Sequence, residues 1–383
     1  MEEQSVHTGN KRQRRLPGWV KIVITVVLTL LIFTGLICLM LGRSGIALME
    51  GWFLAKYAFV DTQADLDGAT DEALTGLVNG LGDRWSYYLS EEDYERVTQN
   101  RANNYVGVGV TVNYEREEGL FVQAVTAGGP AEEAGVVIGD IIIAVDGVSI
   151  AGDARTTATE LIAGEPGTKV TLTLLGSDGA TRDVTCTRRR LNNPSASSQM
   201  LEGNIGYVYL ANFYSGSADS FRAEVDHLQI QGAESLIIDL RNCPGGYVHE
   251  LKQILDYLLP EGPVFTQDSR WWFKSVYESD AECVDLPMVV IVNADSYSAA
   301  ELLAAQLRES VNAPIVGELT SGKGYVQVTF PLPNGGGIGI STATYCTGSG
   351  HSLIGEGIIP DVEVELTSSV DEQLQAAIDL LIK

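Results

Sequence analysis

Met288-Val289-Val290-Ile291-Val292, followed after two residues by Asp295-Ser296-Tyr297-Ser298-Ala299-Ala300-Glu301, reads as a buried apolar strand. It ends in a small-residue turn and opens an amphipathic helix, with Ser298 at the helix start. The same alternation recurs outward from this point. Residues 205–210 read as a strand, 217–229 as a helix, 236–240 as a strand and 248–259 as a helix, and the helix begun at Ser298 runs to about residue 310. Strands alternating with helices predict an α/β domain, a mixed and largely parallel sheet with flanking helices, over 191–366. Beyond the Ser298 helix, Gly322-Lys323-Gly324-Tyr325-Val326-Gln327 sets a lysine between two glycines, just ahead of the alternation of another strand.

A serine at a helix N-terminus and a glycine-flanked lysine are the raw material of a Ser–Lys hydrolase, one variant of the serine triad. A serine hydroxyl is a weak nucleophile until a base removes its proton. A lysine base must be neutral, yet an unperturbed lysine titrates near 10.4; operating near neutrality asks for on the order of 4 kcal/mol of destabilisation of the cation. Desolvation between glycine turns, away from carboxylates, supplies it, so Glu301 and Glu318 are expected not to face the amine. Attack also creates an oxyanion that needs two donors. Ala299 N–H at the helix start is one candidate, and Gly245 N–H in the Pro244-Gly245-Gly246 turn is the other, with Gly246 behind it. Ser296 is the competing serine. A Ser–His alternative would have to use His249 or His351, and neither lies in a recognisable partner motif.

Elsewhere the chain shows a membrane signature and an acidic outer part. Lys11, Arg12, Arg14, Arg15 and Lys21 precede an uncharged apolar run over 22–41. About 20 such residues span a hydrocarbon core of roughly 30 Å. The charge bias keeps the tail 1–21 cytoplasmic, with the remainder extracytoplasmic on a single-pass anchor at the cell membrane. Of 25 basic and 50 acidic residues, five and two lie in that tail, so the exported part carries 20 against 48. Such a surface repels nucleic acid, which is excluded as a partner. Cys186, Cys243, Cys283 and Cys346 lack C-x-x-C spacing, and with four scattered histidines no metal and no other cofactor is implied.

Residues 45–104 read as a helical segment in which Ser90, with Asp93 three residues on, resembles an N-cap. From 105 to 190 short strands alternate with glycine turns: a glycine-interrupted strand over 106–112, a turn–strand–turn over 139–147, a short helix over 155–163 and a strand over 169–175. Residues 191–200 read as a polar connector, and 367–383 as a C-terminal helix in need of a partner surface. The apolar faces of 45–100 and 370–381 suggest a possible homodimer.

The run Pro130-Ala131-Glu132-Glu133-Ala134-Gly135-Val136-Val137-Ile138-Gly139-Asp140, continuing through Ile141-Ile142-Ile143-Ala144-Val145-Asp146-Gly147, resembles the core signature of PDZ domains. Gly107, Val108, Gly109 and Val110 occupy the place of their carboxylate-binding loop, where backbone N–H groups receive a chain end and a strand edge adds the peptide. Val108, Val110, Ala158, Leu161 and Ile162 would line its side-chain pocket. Over about 80–366 the chain resembles the C-terminal processing (tail-specific) peptidases, a family of serine proteases. The likeness rests on Asp83 to Tyr94, the PDZ signature, Asp239-Leu240-Arg241-Asn242-Cys243-Pro244-Gly245-Gly246, the Ser298 elbow, residues 317–327, and Gly355-Glu356-Gly357-Ile358-Ile359-Pro360-Asp361-Val362.

The resemblance implies Ser298 as nucleophile, Lys323 as general base and Gln327 as the group that orients the lysine. It implies an endopeptidase that binds flexible C-terminal tails of protein substrates and cuts through an acyl-enzyme. The alternative is a catalytically silent PDZ adaptor of the same family. Three departures stand out: Cys243 where many members have Asn, Ala163 where many carry a basic residue, and Leu319-Thr320-Ser321 before Lys323 in place of an aromatic-containing run.

Overall fold

The computed structural model describes residues 17–114, 116–126, 128–270, 274–366 and 370–382. The chain divides into two units, Met1–Gly76 and Leu77–Lys383. In the first, a helix runs over Gly18–Ala58 and breaks at Gly42, whose φ of 60° and ψ of −172° are not helical. Among the described residues it is the one helix long and apolar enough to cross a membrane. The basic residues at 11, 12, 14 and 15 lie outside the described residues.

The second unit is built around a six-stranded sheet in the order Ala196–Leu201, Ile205–Leu210, Ser235–Asp239, Met288–Val292, Ile315–Gly317, Val362–Glu363. The first pair is antiparallel and the rest are parallel. Parallel strands covered on both faces read as unbroken apolar runs, and Ser235–Asp239 and Met288–Val292 are buried at every position. Each fully buried Val or Ile there contributes about 1.5–3 kcal/mol of burial. One face packs helices Ser217–Ile230, Val248–Leu258 and Ala299–Val311 into the main core. The other face, through Ile237, Val289, Ile291 and Val316, takes the tail helix Glu372–Leu381. The apolar side of that helix is therefore occupied within the chain, which removes half the basis for self-association.

Residues 191–200 are not a polar connector. Arg189–Asn192 pairs with Asn104–Gly107 as a two-stranded ribbon, and Ala196–Leu201 is the edge strand of the main sheet. Ser, Asn and Gln tolerate a half-exposed edge, so polarity alone is a poor guide to this segment. The glycine-interrupted strand is likewise two strands: Asn104–Gly107 joins the ribbon, while Val110–Asn113 enters the PDZ sheet beside Leu120–Val125. That sheet continues through Ile141–Val145, Lys169–Leu175 and Thr181–Thr187 over its own core, flanked by helix Arg155–Ile162.

A further antiparallel sheet has no clear signature in the sequence. It runs Tyr87–Leu89, Gly337–Thr347, Gly262–Ser269, Ser275–Ser279, with Tyr325–Pro331 also paired to Gly337–Thr347. Glycines hide the long strand from propensity arguments. A Cβ at Gly339 would lie 2.3 Å from the Tyr87 ring, so glycine there makes room for the aromatic across the sheet.

Candidate active site

Three loops leave the carboxyl ends of neighbouring parallel strands, where open α/β sheets gather their ligand sites. After Ser235–Asp239 comes the Pro244-Gly245-Gly246 turn, after Met288–Val292 the Ser298 elbow, and after Ile315–Gly317 the Lys323 loop. Ser296 is a pin within the elbow. It is fully buried, its hydroxyl donates to Leu240 O at 2.8 Å, and it accepts from Asn293 N–H at 2.9 Å. Ser298 is partly exposed and holds φ 63°, ψ −119°, a backbone that costs a non-glycine residue about 1–3 kcal/mol. Strain of this kind is how a sharp strand-to-helix turn lifts a nucleophile clear of its surroundings.

Glu301 joins the elbow to the lysine loop. Its fully buried carboxylate accepts from Ser298 N–H at 2.9 Å, from Gly322 N–H at 2.7 Å, from Lys323 N–H at 2.9 Å and from the Thr320 hydroxyl at 2.5 Å. Glu318 turns away and accepts from Gln373. Among the described residues, Lys323 forms no ion pair. The expectation that both glutamates stay clear of the amine holds for Glu318 and needs correction for Glu301, whose charge does raise the Lys323 pKa. Burial outweighs it. Desolvation first, and then the nearby Arg101 cation, bring the Lys323 amine down to about 8 against the opposing pull of Glu301 and Asp83. The amine lies 5.1 Å from the Trp85 ring centre and 5.5 Å from that of Tyr297, two rings stacked 6.2 Å apart.

Gln327, expected to orient the lysine, has its amide engaged by a neighbouring strand. The strand starts at Tyr325, beyond Lys323, and its pairing with Gly337–Thr347 shifts register between Val326 and Gln327, where Thr342 of the partner strand is the extra residue. The Gln327 amide donates to Ser341 Oγ at 3.2 Å. It still lines the same cleft of about 730 Å³ as Ser298 and Lys323. No hydrogen bond joins the Ser298 hydroxyl to the Lys323 amine.

A Cβ at Gly245, where φ is 75°, would lie 2.8 Å from Ala299 N and 2.9 Å from Ser298 Cβ. Only glycine lets the turn close on the elbow. Gly245 N–H faces the Cys243 sulfur, whereas Gly246 lines the cleft with Ala299. Cys243 is fully buried, and burial pushes its thiol up to about 12, so it stays protonated near neutrality.

Several contributors escaped the sequence. Tyr345 is buried; its phenol donates to Lys323 O and touches the Ser298 hydroxyl. Arg84 donates to Ser321 O at 2.8 Å and lies over Trp85. Only Glu301 had a local signal, the S-x-x-E capping spacing from Ser298. In the PDZ unit, Gly107, Val108 and Gly109 are buried, and Ala131 N–H donates to Val108 O. Val108, Ala158 and Ile162 belong to its core, Val110 packs against that core, and Leu161 is exposed. Where Ala163 replaces a basic residue, a guanidinium arrives from another strand end: Arg188 donates to Ile162 O, Leu161 O and Lys169 O.

Known proteins agree with this architecture. Residues 204–364 match peptidase family S41 and residues 121–175 match the PDZ domain. A carboxyl-terminal-processing protease of Synechocystis sp. is 31% identical over 347 residues, covering 87% of this chain and 81% of that one. The carboxy-terminal processing protease CtpA of Bacillus subtilis is 32% identical over 306 residues, 79% and 66% of the two chains. A solved S41 protease structure from Bacteroides fragilis shares the fold at 16% identity, with a TM-score of 0.51 over 85% of this chain and 92% of that one. The chain thus belongs to the carboxyl-terminal-processing proteases of peptidase family S41, PDZ-containing serine proteases.

Proposed function

We propose that the protein is a membrane-anchored endopeptidase that recruits flexible C-terminal tails of protein substrates through its PDZ domain and cleaves them by a Ser298–Lys323 mechanism. The observation that carries this reading is a lysine amine without a carboxylate partner, depressed to about 8, in the same cleft as a strained elbow serine. At pH 7 such an amine is neutral in roughly one molecule in ten, against fewer than one in a thousand for a free lysine.

The neutral amine takes the Ser298 proton as Oγ bonds to the scissile carbonyl carbon. Negative charge then moves to the carbonyl oxygen, between Ala299 N–H at the helix start and Gly246 N–H. The ammonium returns the proton to the leaving nitrogen as the C–N bond breaks, and the acyl-enzyme remains. Water, deprotonated by the same amine, releases the acid. Resting hydroxyl and amine are not hydrogen-bonded, so bound substrate must draw them together, as catalytic contacts often tighten only in the complex. Gln327 and Tyr345 border that movement.

The helix over 22–41 supports a single-pass anchor with its basic end inside; sedimentation of the full chain with membranes, resistant to high salt and carbonate, tests it. The catalytic test incubates a tailed protein with wild type, Ser298→Ala and Lys323→Ala. Both variants are expected to lose cleavage by 10³-fold or more, while Ser298→Ala still binds the tail. Equal cleavage by all three would identify a contaminating protease and remove the mechanism.

A further inference from the structure

The cleft holds charges of one sign in a chain of the other. Acidic residues outnumber basic ones 50 to 25, yet among the described residues the cleft is lined by Arg84, Arg101 and Lys323 and by no Asp or Glu. Two of these cations are accounted for. Lys323 is the proposed base, and Arg84 holds the lysine loop at Ser321 O while lying 4.2 Å from the Trp85 ring centre.

Arg101 is different. It ends helix Glu91–Arg101, whose last turn is tied to the protease domain by Ser215 N–H donating to Arg101 O. Its guanidinium makes one hydrogen bond, to Tyr87 Oη at 3.2 Å, and forms no ion pair among the described residues. A cation placed only to complement the helix dipole would have no need to reach into the cleft. A guanidinium carries five donors in a planar fork suited to two carboxylate oxygens, and one is engaged here. Arg101 lines the same cleft as Ser298 and Lys323, so an anion bound there shares the cleft with both. The acidic outer surface leaves this cleft as a local attraction for anionic groups.

We propose that Arg101 forms a carboxylate subsite in the catalytic cleft, selecting substrates that present an acidic side chain or a free chain end near the scissile bond. The subsite rests on the peptidase reading, because a substrate peptide is what it would hold.

The test uses the full chain in detergent and three matched sets of quenched-fluorescence peptides. One set carries Glu or Gln before the cleavage point, one carries Glu or Gln after it, and one ends in a free carboxylate or an amide. The readout is the ratio of kcat/KM for acid over neutral partner within each enzyme, which cancels any effect of Arg101 on the base. Wild type is expected to favour the acid by tenfold or more in at least one set. Arg101→Lys should keep part of that preference and Arg101→Gln should bring the ratio near one.

The set that responds identifies the source of the carboxylate; PDZ capture of a free end persists in Arg101→Gln and is thereby separated. No preference in wild type, or the same ratio in Arg101→Gln, overturns the subsite. Binding of the same peptides to Ser298→Ala, with and without Arg101→Gln, gives a second readout that needs no cleavage. Acid-selective binding lost with Arg101 but no cleavage by wild type would sustain the subsite and remove the peptidase mechanism.

Discussion

At Lys323, the proposed catalytic role and stability pull in opposite directions. The folded chain holds this proton less tightly than the unfolded chain, because burial and Arg101 bring the pKa from 10.5 to about 8. Between those values the unfolded state binds more protons, so this residue's contribution to stability rises with pH across the window, and below pH 8 its full cost is present. Lys323→Met should therefore stabilise the fold at pH 7 by up to about 3 kcal/mol while abolishing cleavage. Urea midpoints at pH 7 and pH 10.5 measure it; a gain at pH 7 that shrinks by pH 10.5 is expected, and a loss at both would mean the amine is held as a cation. Glu301 shows how the same neighbourhood is kept in order. Four donors converge on its carboxylate, so the groups that fix the Ser298 and Lys323 backbones share one acceptor, and its charge, though it raises the Lys323 pKa, is outweighed by burial.

At the scale of elements, what could be read in the sequence followed periodicity, and what could not depended on pairing. Buried parallel strands such as Met288–Val292, and the helices between them, carry their own patterns, and the loops at their carboxyl ends follow from topology. The sheet through Gly337–Thr347 does not, since its glycines make sense only against Tyr87 and Tyr94 from a distant segment. Gln327 shows the same dependence on pairing, since the partner of its amide, Ser341, belongs to that same long strand. Arg101 and Tyr345 reach the cleft from elements far apart in the chain. The Pro244–Gly246 turn combines both kinds of information, legible as glycines and meaningful only against the elbow. Gly245→Ala would drive a Cβ into Ala299 N at a φ that already disfavours it. Turnover of a saturating peptide should slow by roughly two orders of magnitude or more, with tail binding kept. Turnover close to that of wild type would show that this turn does not shape the oxyanion site.

At the scale of the whole chain, the segments are an apolar helix long enough to cross a membrane, a PDZ unit, and a two-faced sheet that delivers three loops to one cleft. The tail helix belongs to this frame. Arg241, just before the Pro244–Gly246 turn, donates to Asp239 and to Asp371 at the start of that helix, and this half-buried pairing ties the helix to the loop beside the cleft. Asp371 is accordingly held below the usual carboxylate range by Arg241 and by helix N–H donors, despite burial acting the other way. The central claim is that a neutral Lys323 activates Ser298, and the rate at which a fluorophosphonate labels the full chain between pH 6 and 10, followed by mass spectrometry, tests it most directly. One adduct is expected, on Ser298, forming faster as pH rises through about 8 and at least 10³-fold slower in Lys323→Ala. An adduct on another residue, or a Ser298 rate indifferent to pH and unchanged in Lys323→Ala, would contradict it.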